Sequence, residues 1–179
     1  MMIEIKHLPH EDIARIVDID RSEFIPATYT YENGQIVRHE TPHDCPTWSH
    51  DDDPHWSYGA HIAYFKSLLD AGGELIGAVE GERLVGFAVL RYQLVDDMAQ
   101  LGALFVSNGY RRQGLAHKLC AEVDRLAREY GAKRMYVSAT PSESAMGFYR
   151  SQGFVPTDTP HPELFALEPE DIHMVKRLP

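Results

Sequence analysis

One stretch constrains this chain more than any other. An apolar strand at 99–106 ends in Leu104-Phe105-Val106, passes through the turn Ser107-Asn108-Gly109-Tyr110, and opens a helix at Arg111-x-x-Gly114-x-Ala116. The N–H groups of a helix's first turn have no partner inside the helix, and the helix dipole adds positive potential there. Gly114 and Ala116 lack bulk, so an anion can approach the backbone closely. Arg111 and Arg112 add formal charge in an otherwise acidic chain. This is the design of a diphosphate cradle. Taken alone, the same pattern also describes an ordinary helix start with solvated arginines. The Gly-Lys-Ser/Thr of a nucleoside-triphosphate loop is absent, and so is the G-x-G-x-x-G of a dinucleotide fold.

The rest of the chain arranges strands and helices around that turn. Residues 2–6 alternate in polarity and read as a short strand. Residues 9–20 carry Ile13, Ile16, Val17 and Asp20 at helical spacing and predict an amphipathic helix. Residues 21–56 break up, with four prolines, the turn Asn33-Gly34 and the run Asp51-Asp52-Asp53. An irregular insertion of that length reads as a lid or binding loop within a single 1–179 domain. A helix is expected over 58–71, followed by strands at 75–80 and 83–94 joined at Gly81-Glu82 as a type II′ hairpin. With the strand at 99–106, these form an antiparallel meander. Leu115, Leu119, Val123 and Leu126 form one stripe of a helix over 110–130, and a buried strand follows at 134–139. Thr140, Pro141 and Glu143 read as cap, first turn and capping box of a helix ending near Gln152. Two last strands are expected at 154–156 and 172–178, separated by an acidic loop. The fold class is mixed α/β.

Composition narrows the partners. Of 179 residues, 44% are hydrophobic and 25% charged, which excludes disordered and fibrous classes. No apolar run nears the roughly 20 residues that span a bilayer, and the first residues do not read as a signal peptide. The net charge of −10 disfavours nucleic acid and anionic membranes and favours a cationic small ligand. Cys45 and Cys120 alone make no disulfide framework and fit a cytoplasmic protein. Residues 43–55 hold His43, Cys45, His50, Asp51, Asp53 and His55, but Pro46 and Pro54 break the segment. No metal is expected; a solvated loop or an acidic rim is the reading.

With Val106 before it, Arg111-Arg112-Gln113-Gly114-Leu115-Ala116 resembles the signature of the GNAT superfamily of acyl-CoA-dependent N-acyltransferases. A second resemblance lies in Ser142-Glu143-Ser144-Ala145-Met146-Gly147-Phe148-Tyr149 followed by Gly153-Phe154. A third is the hairpin around Gly81-Glu82. The resemblance spans about residues 75–154. It implies a GNAT-like fold, with a central, mostly antiparallel sheet of about six to seven strands flanked by helices. It also implies acetyl-CoA as co-substrate, an amine acceptor and a possible homodimer.

Residue by residue, the resemblance implies that backbone groups of Leu104, Phe105 and Val106 bind the pantetheine arm. The pyrophosphate would rest on amides from Arg112 through Gln113, Gly114, Leu115 and Ala116 to His117, beside Arg111. Ser142 matches a position that often carries Asn against the cofactor arm; it reads equally as a helix cap. Tyr149 matches the residue that protonates the departing thiolate, and a core tyrosine is the bland alternative. No base is evident: Gln100, Gly102, Tyr136 and Ser138 occupy the usual strand positions. Glu23, Glu32, His39, Asp96, Asp97 or a water relay remain as candidates. Trp48, Trp56, Tyr29 and Tyr31 serve as ligand stacking or as a satellite core. The expected function is N-acetylation of a small cationic amine. A protein N-terminus or lysine as acceptor, and a non-catalytic CoA-binding module, are the alternatives.

Overall fold

The computed structural model describes residues 2–179. A seven-stranded sheet runs through the molecule in the order β1-β6-β7-β8-β9-β11-β10. Strand β1 (Ile3–Leu8) pairs antiparallel with β6 (Glu74–Glu80). Strand β6 continues through β7 (Arg83–Val95) into β8 (Met98–Val106) as the expected antiparallel meander, with Glu80 opposite Arg83 at the hairpin. The helix α2 (Leu115–Tyr130) then crosses over and returns the chain to β9 (Arg134–Ala139), parallel to β8. Beyond β9, β11 (Ile172–Arg177) and β10 (Val155–Pro156) complete the sheet antiparallel.

Two cores lie on the two faces of the sheet. On one face, Leu115, Leu119, Val123 and Ala127 of α2, with Met146 and Tyr149 of α3 (Glu143–Ser151), cover Ala88, Leu90, Ala99 and Leu101. On the other, Phe65, Leu68 and Leu69 of α1 (Tyr58–Asp70) cover Phe87, Val89 and Ala103. The alternation of Ala88, Val89 and Leu90 between opposite cores is the period-two pattern of a strand buried on both sides.

Four expectations change. Residues 10–18 form a 3-10 helix rather than an α-helix. Ile13, Ile16 and Ile19 are buried at a spacing of three, the 3-10 period, and Val17 turns to solvent at 44% exposure. The insertion is not irregular. Its Asn33-Gly34 turn joins β3 (Thr28–Glu32) to β4 (Gln35–His39), and β2 (Glu23–Ile25) pairs with β5 (His43–Cys45). The helix cap before α3 is Ser142, not Thr140. Tyr29 N–H bonds the Pro141 carbonyl at 2.9 Å and Ser142 bridges to Thr28, so 140–142 is held extended and α3 begins two residues later. Finally, the acidic loop before β11 contains a short helix, α4 (Pro162–Leu167), anchored by buried Leu164. Among the described residues, no helix is long and apolar enough to cross a membrane.

Candidate active site

The sheet forks between β8 and β9. The two strands pair only over Met98, Ala99 and Gln100, opposite Arg134, Met135 and Tyr136. Beyond that rung, β8 follows β7 as far as Val106 opposite Gly86, while β9 follows β11 as far as Ala139 opposite Ile172. A bulge drives the divergence: Val89 faces Ala103 and Leu90 faces Leu101, leaving Gly102 as the extra residue on β8. A Cβ on Gly102 would lie 2.6 Å from Leu68 Cδ1, so a side chain there would displace the Leu68 side chain. Half-buried Leu104, Phe105 and Val106 therefore keep a backbone edge free on the side facing β9. Such an edge can hydrogen-bond an amide-bearing arm laid into the fork.

The anion loop sits at the open end of the fork. Arg112 has φ +62 and Gly114 φ +79, two left-handed residues within three positions. Gly114 is the N-cap of α2, and no side chain caps the helix. Nothing lies within 4 Å of where a Gly114 Cβ would stand, so the cradle opens to solvent. Arg112, Gln113 and His117 are exposed, and Ala116 is half-buried. Leu115 points into the core at 4% exposure and offers the cradle only its amide. The side chain of Arg111 is committed elsewhere. It donates to the carbonyls of Val106 at 3.1 Å, Ser22 at 3.0 Å and Arg21 at 3.0 Å. The expectation of two free arginines beside the loop reduces to one, because these three carbonyls pull Arg111 inward.

Helix α3 closes the same end. Ser142 Oγ accepts the Ala145 N–H at 3.3 Å, the helix-cap bond that was one of its two readings from sequence. His117 stands edge-on to Phe148 at 5.1 Å, joining the two helix starts. Tyr149 is 8% exposed, edge-on to both Phe148 and Phe154. Burial holds its hydroxyl well above the ordinary phenol range, with Cys120, Asp171 and Glu168 adding to the shift. It therefore stays protonated at neutral pH, as a donor must.

Residues 30–154 match the profile described as the acetyltransferase (GNAT) family, well over half of the chain. The chain belongs to the GNAT family of acetyltransferases. It is accordingly an acetyl-CoA-dependent acyltransferase. Solved structures share the fold at low identity. Nourseothricin acetyltransferase aligns at TM-score 0.71 and 18% identity over 100% of both chains. PaiA N-acetyltransferase from Thermoplasma acidophilum, solved with coenzyme A, aligns at 0.62 and 17% over 99% of both. The ribosomal-protein-S18-alanine N-acetyltransferase from Escherichia coli aligns at 0.61 and 19% over 99% of this chain and 94% of that one. No curated protein sequence matches the chain.

The face of the GNAT fork covered by α1 and α4 carries groups that sequence reasoning missed. Glu168 and Asp171 flank the start of β11, next to the end of β9. Burial raises both carboxyls. Asp171 is pushed up to about 7 by burial and by Glu168, against the opposing pull of Arg21. Across the fork, the Arg21 guanidinium lies 4.5 Å from the Trp56 ring and 5.9 Å from that of Phe105. Gln100, on the last paired rung, is 2% exposed, and its Oε1 is buried with no partner among the described residues. His173 is held by the Glu168 carbonyl at 3.0 Å, which requires a proton on Nε2. Its Nδ1 then accepts from the Tyr136 hydroxyl at 2.7 Å, and burial lowers the ring's affinity for a second proton. A cleft of about 480 Å³ opens beside Asp171 and His173, walled by Tyr31 and Phe165.

The bases named from sequence lie elsewhere or are engaged. Asp97 pairs with Arg134 at 2.7 Å at the far end of β8, and Asp96 precedes it in the same turn. Glu32 and His39 both bond Thr30 on the hairpin, at 2.7 and 2.8 Å. Glu23 lies 3.9 Å from Arg111. Trp48, at 1% exposure, is satellite core stacked on His61 at 4.2 Å, whereas Trp56 is half-buried under Arg21. Tyr29 and Tyr31 pack partly buried against the α2-side core. The signal that would have found Glu168 and Asp171 was their place: two carboxylates immediately before a strand that pairs with β9.

Proposed function

We propose that this GNAT enzyme transfers the acetyl group of acetyl-CoA to the primary amine of a small molecule that arrives with that amine protonated. The observation that carries this reading is the fork, open from Leu101 to Val106 beside a cradle of free amides at the start of α2. In this reading the pantetheine arm bonds the backbone of Leu104, Phe105 and Val106. The diphosphate rests on the amides from Arg112 to His117, with the Arg112 side chain as its cation. The thioester then lies near the apex of the fork, within reach of the Tyr149 hydroxyl.

The amine attacks the thioester carbonyl directly. Holding two substrates in attack geometry supplies much of the rate, and Tyr149 gives the sulfur its proton as the C–S bond breaks. The acidic chain, at net charge −10, draws a cationic amine towards the fork. Cys45 and Cys120 are free thiols, which suits a reducing cytoplasm. Thiol release from acetyl-CoA over a panel of amines tests the reading. Amine-dependent release supports it, and release only with hydroxyl or water acceptors overturns it.

A further inference from the structure

Arg21 is placed as a binding group without its ligand. Its main chain is fixed, with N–H donating to Thr47 Oγ1 at 3.1 Å and the carbonyl receiving Arg111 at 3.0 Å. Its guanidinium spreads over an aromatic floor of Trp56, Trp48 and Phe105 at 4.5, 5.7 and 5.9 Å. Among the described residues, its Nε is buried with no hydrogen-bond partner. Glu23 and Asp171 act on it only at Coulombic range, and burial dominates. Stacking recovers part of the cost of taking a guanidinium partly out of water, but the buried Nε–H donor remains to be satisfied. A buried cation is costly until an anion pairs with it.

The facing wall has the opposite sign. Asp171 and Glu168 are half-buried, which raises both carboxyls above the ordinary range, and Asp171 is electrostatically linked to both Arg21 and Tyr149. At the apex, Gln100 Oε1 offers one more buried acceptor, suited to an N–H group.

We propose that the acceptor is an amino carboxylate, an amino acid or close relative, whose carboxylate is held by Arg21 and whose ammonium is held by Asp171 with Glu168 beside it. This rests on the acetyl-transfer reading above and names the substrate class of that site. The Asp171 carboxylate takes one proton from the ammonium. The freed nitrogen attacks the thioester carbon, the C–N bond forms and the C–S bond breaks. Sulfur leaves as thiolate and takes the Tyr149 proton. The nitrogen's second proton restores Tyr149 through water, and Asp171 releases its own to solvent. One ammonium and one thioester become one amide, one thiol and one proton. The cleft beside Asp171 and His173 gives the acceptor's side chain room to extend.

Such a site rejects the matching amine that lacks the carboxylate, because Arg21 would then stay buried and unpaired beside a second cation. The test is steady-state thiol release with matched pairs: leucine against isoamylamine, phenylalanine against phenethylamine, lysine against cadaverine. In the preferred pair, kcat/KM is expected to favour the amino acid by at least about 100-fold. Arg21→Gln is expected to cut that ratio below about tenfold, chiefly through KM, with calorimetric CoA affinity unchanged. Arg21→Lys, which keeps the charge but loses the planar fork, is expected to fall between the two. Should either variant fail to fold, the wild-type ratio alone decides. Equal or better turnover of the decarboxylated amines overturns the inference and leaves the acetyltransferase reading standing, as does a ratio that folded Arg21→Gln leaves unmoved. No turnover of either member of any pair, by protein that binds CoA, overturns both.

Discussion

The Arg111 guanidinium donates to the Ser22 carbonyl at 3.0 Å, tying the anion loop to the first residues of the 21–56 insertion. Two further bonds, to Val106 and Arg21, make it a three-way clamp between β8, the loop and the acceptor wall. The clamp fixes the Arg21 backbone, so a cofactor-side residue helps to shape the acceptor side. Arg111→Met keeps the stem and removes all three bonds. Charge-assisted bonds contribute about 1.5–3 kcal/mol each when buried, and partial exposure here reduces that. A net loss of about 2 kcal/mol is expected, or roughly 4–8 °C in Tm by calorimetry for a chain of this length. An unchanged Tm would show that the clamp contributes nothing to stability.

Gly114 shows why small residues matter in the cradle. Its φ of +79 is a conformation that β-branched residues adopt only under strain, and a Cβ there would project into the open space a diphosphate needs. Gly114→Val is expected to weaken CoA binding at least tenfold, about 1.4 kcal/mol, by isothermal calorimetry. Gly114→Ala is expected to lie between the two. Unchanged affinity in a folded Val variant would move the diphosphate off this loop.

The central sheet was legible because its signals are local. The turns Gly81-Glu82 and Asp96-Asp97 separate apolar runs at 75–80, 83–94 and 99–106, and the structure places strands at each. The hairpin β3–β4 was also written in the chain, as β-branched and aromatic residues around Asn33-Gly34, but prolines on both sides masked it. The acidic run at 51–53 has a local role. Asp53 Oδ1 accepts the N–H groups of His55 and Trp56 at 2.8 and 2.6 Å, and Asp51 accepts the Asp53 N–H at 3.1 Å. Asp51 and Asp53 build the turn that leads to Ser57, the cap of α1, a local role beside the solvated loop or acidic rim read from sequence. Arg21, Glu168 and Asp171 were illegible for a deeper reason. They converge from opposite ends of the chain, and only the splay of β8 from β9 brings them to one fork.

Tyr149 is buried and protonated on α3. Tyr149→Phe removes one hydroxyl and preserves the ring's edge contacts with Phe148 and Phe154. General acid catalysis contributes about 10²–10⁴-fold, so kcat is expected to fall by about 10²-fold or more while CoA affinity barely changes. Full turnover by the Phe variant would reduce Tyr149 to a packing residue.

Asp171 links the chemistry to stability. Its carboxyl binds its proton at about 7 in the folded state, against about 4 when unfolded. The folded state therefore holds more protons across that window, and stability falls as pH rises through it. Below about 4 the carboxyl is neutral in both states and costs nothing; above about 7 the full cost of a buried charge is present. Asp171→Asn removes that charge, so its Tm relative to wild type is expected to rise from pH 5 to pH 8, with most of the gain between about 5 and 7 and little above. The same variant should lose kcat/KM, and the wild-type rate should climb with an inflection near 7 as the base becomes free. The groups facing Asp171 bear on where that inflection falls: Glu168 raises it, Arg21 lowers it, and Tyr149 stays neutral throughout. His173, already neutral, adds no charge above pH 6.5. Glu32, Asp158 and Glu170 line the same cleft. A variant less stable than wild type at pH 8, with an unchanged pH–rate profile, would make Asp171 a structural carboxylate and return the base to water.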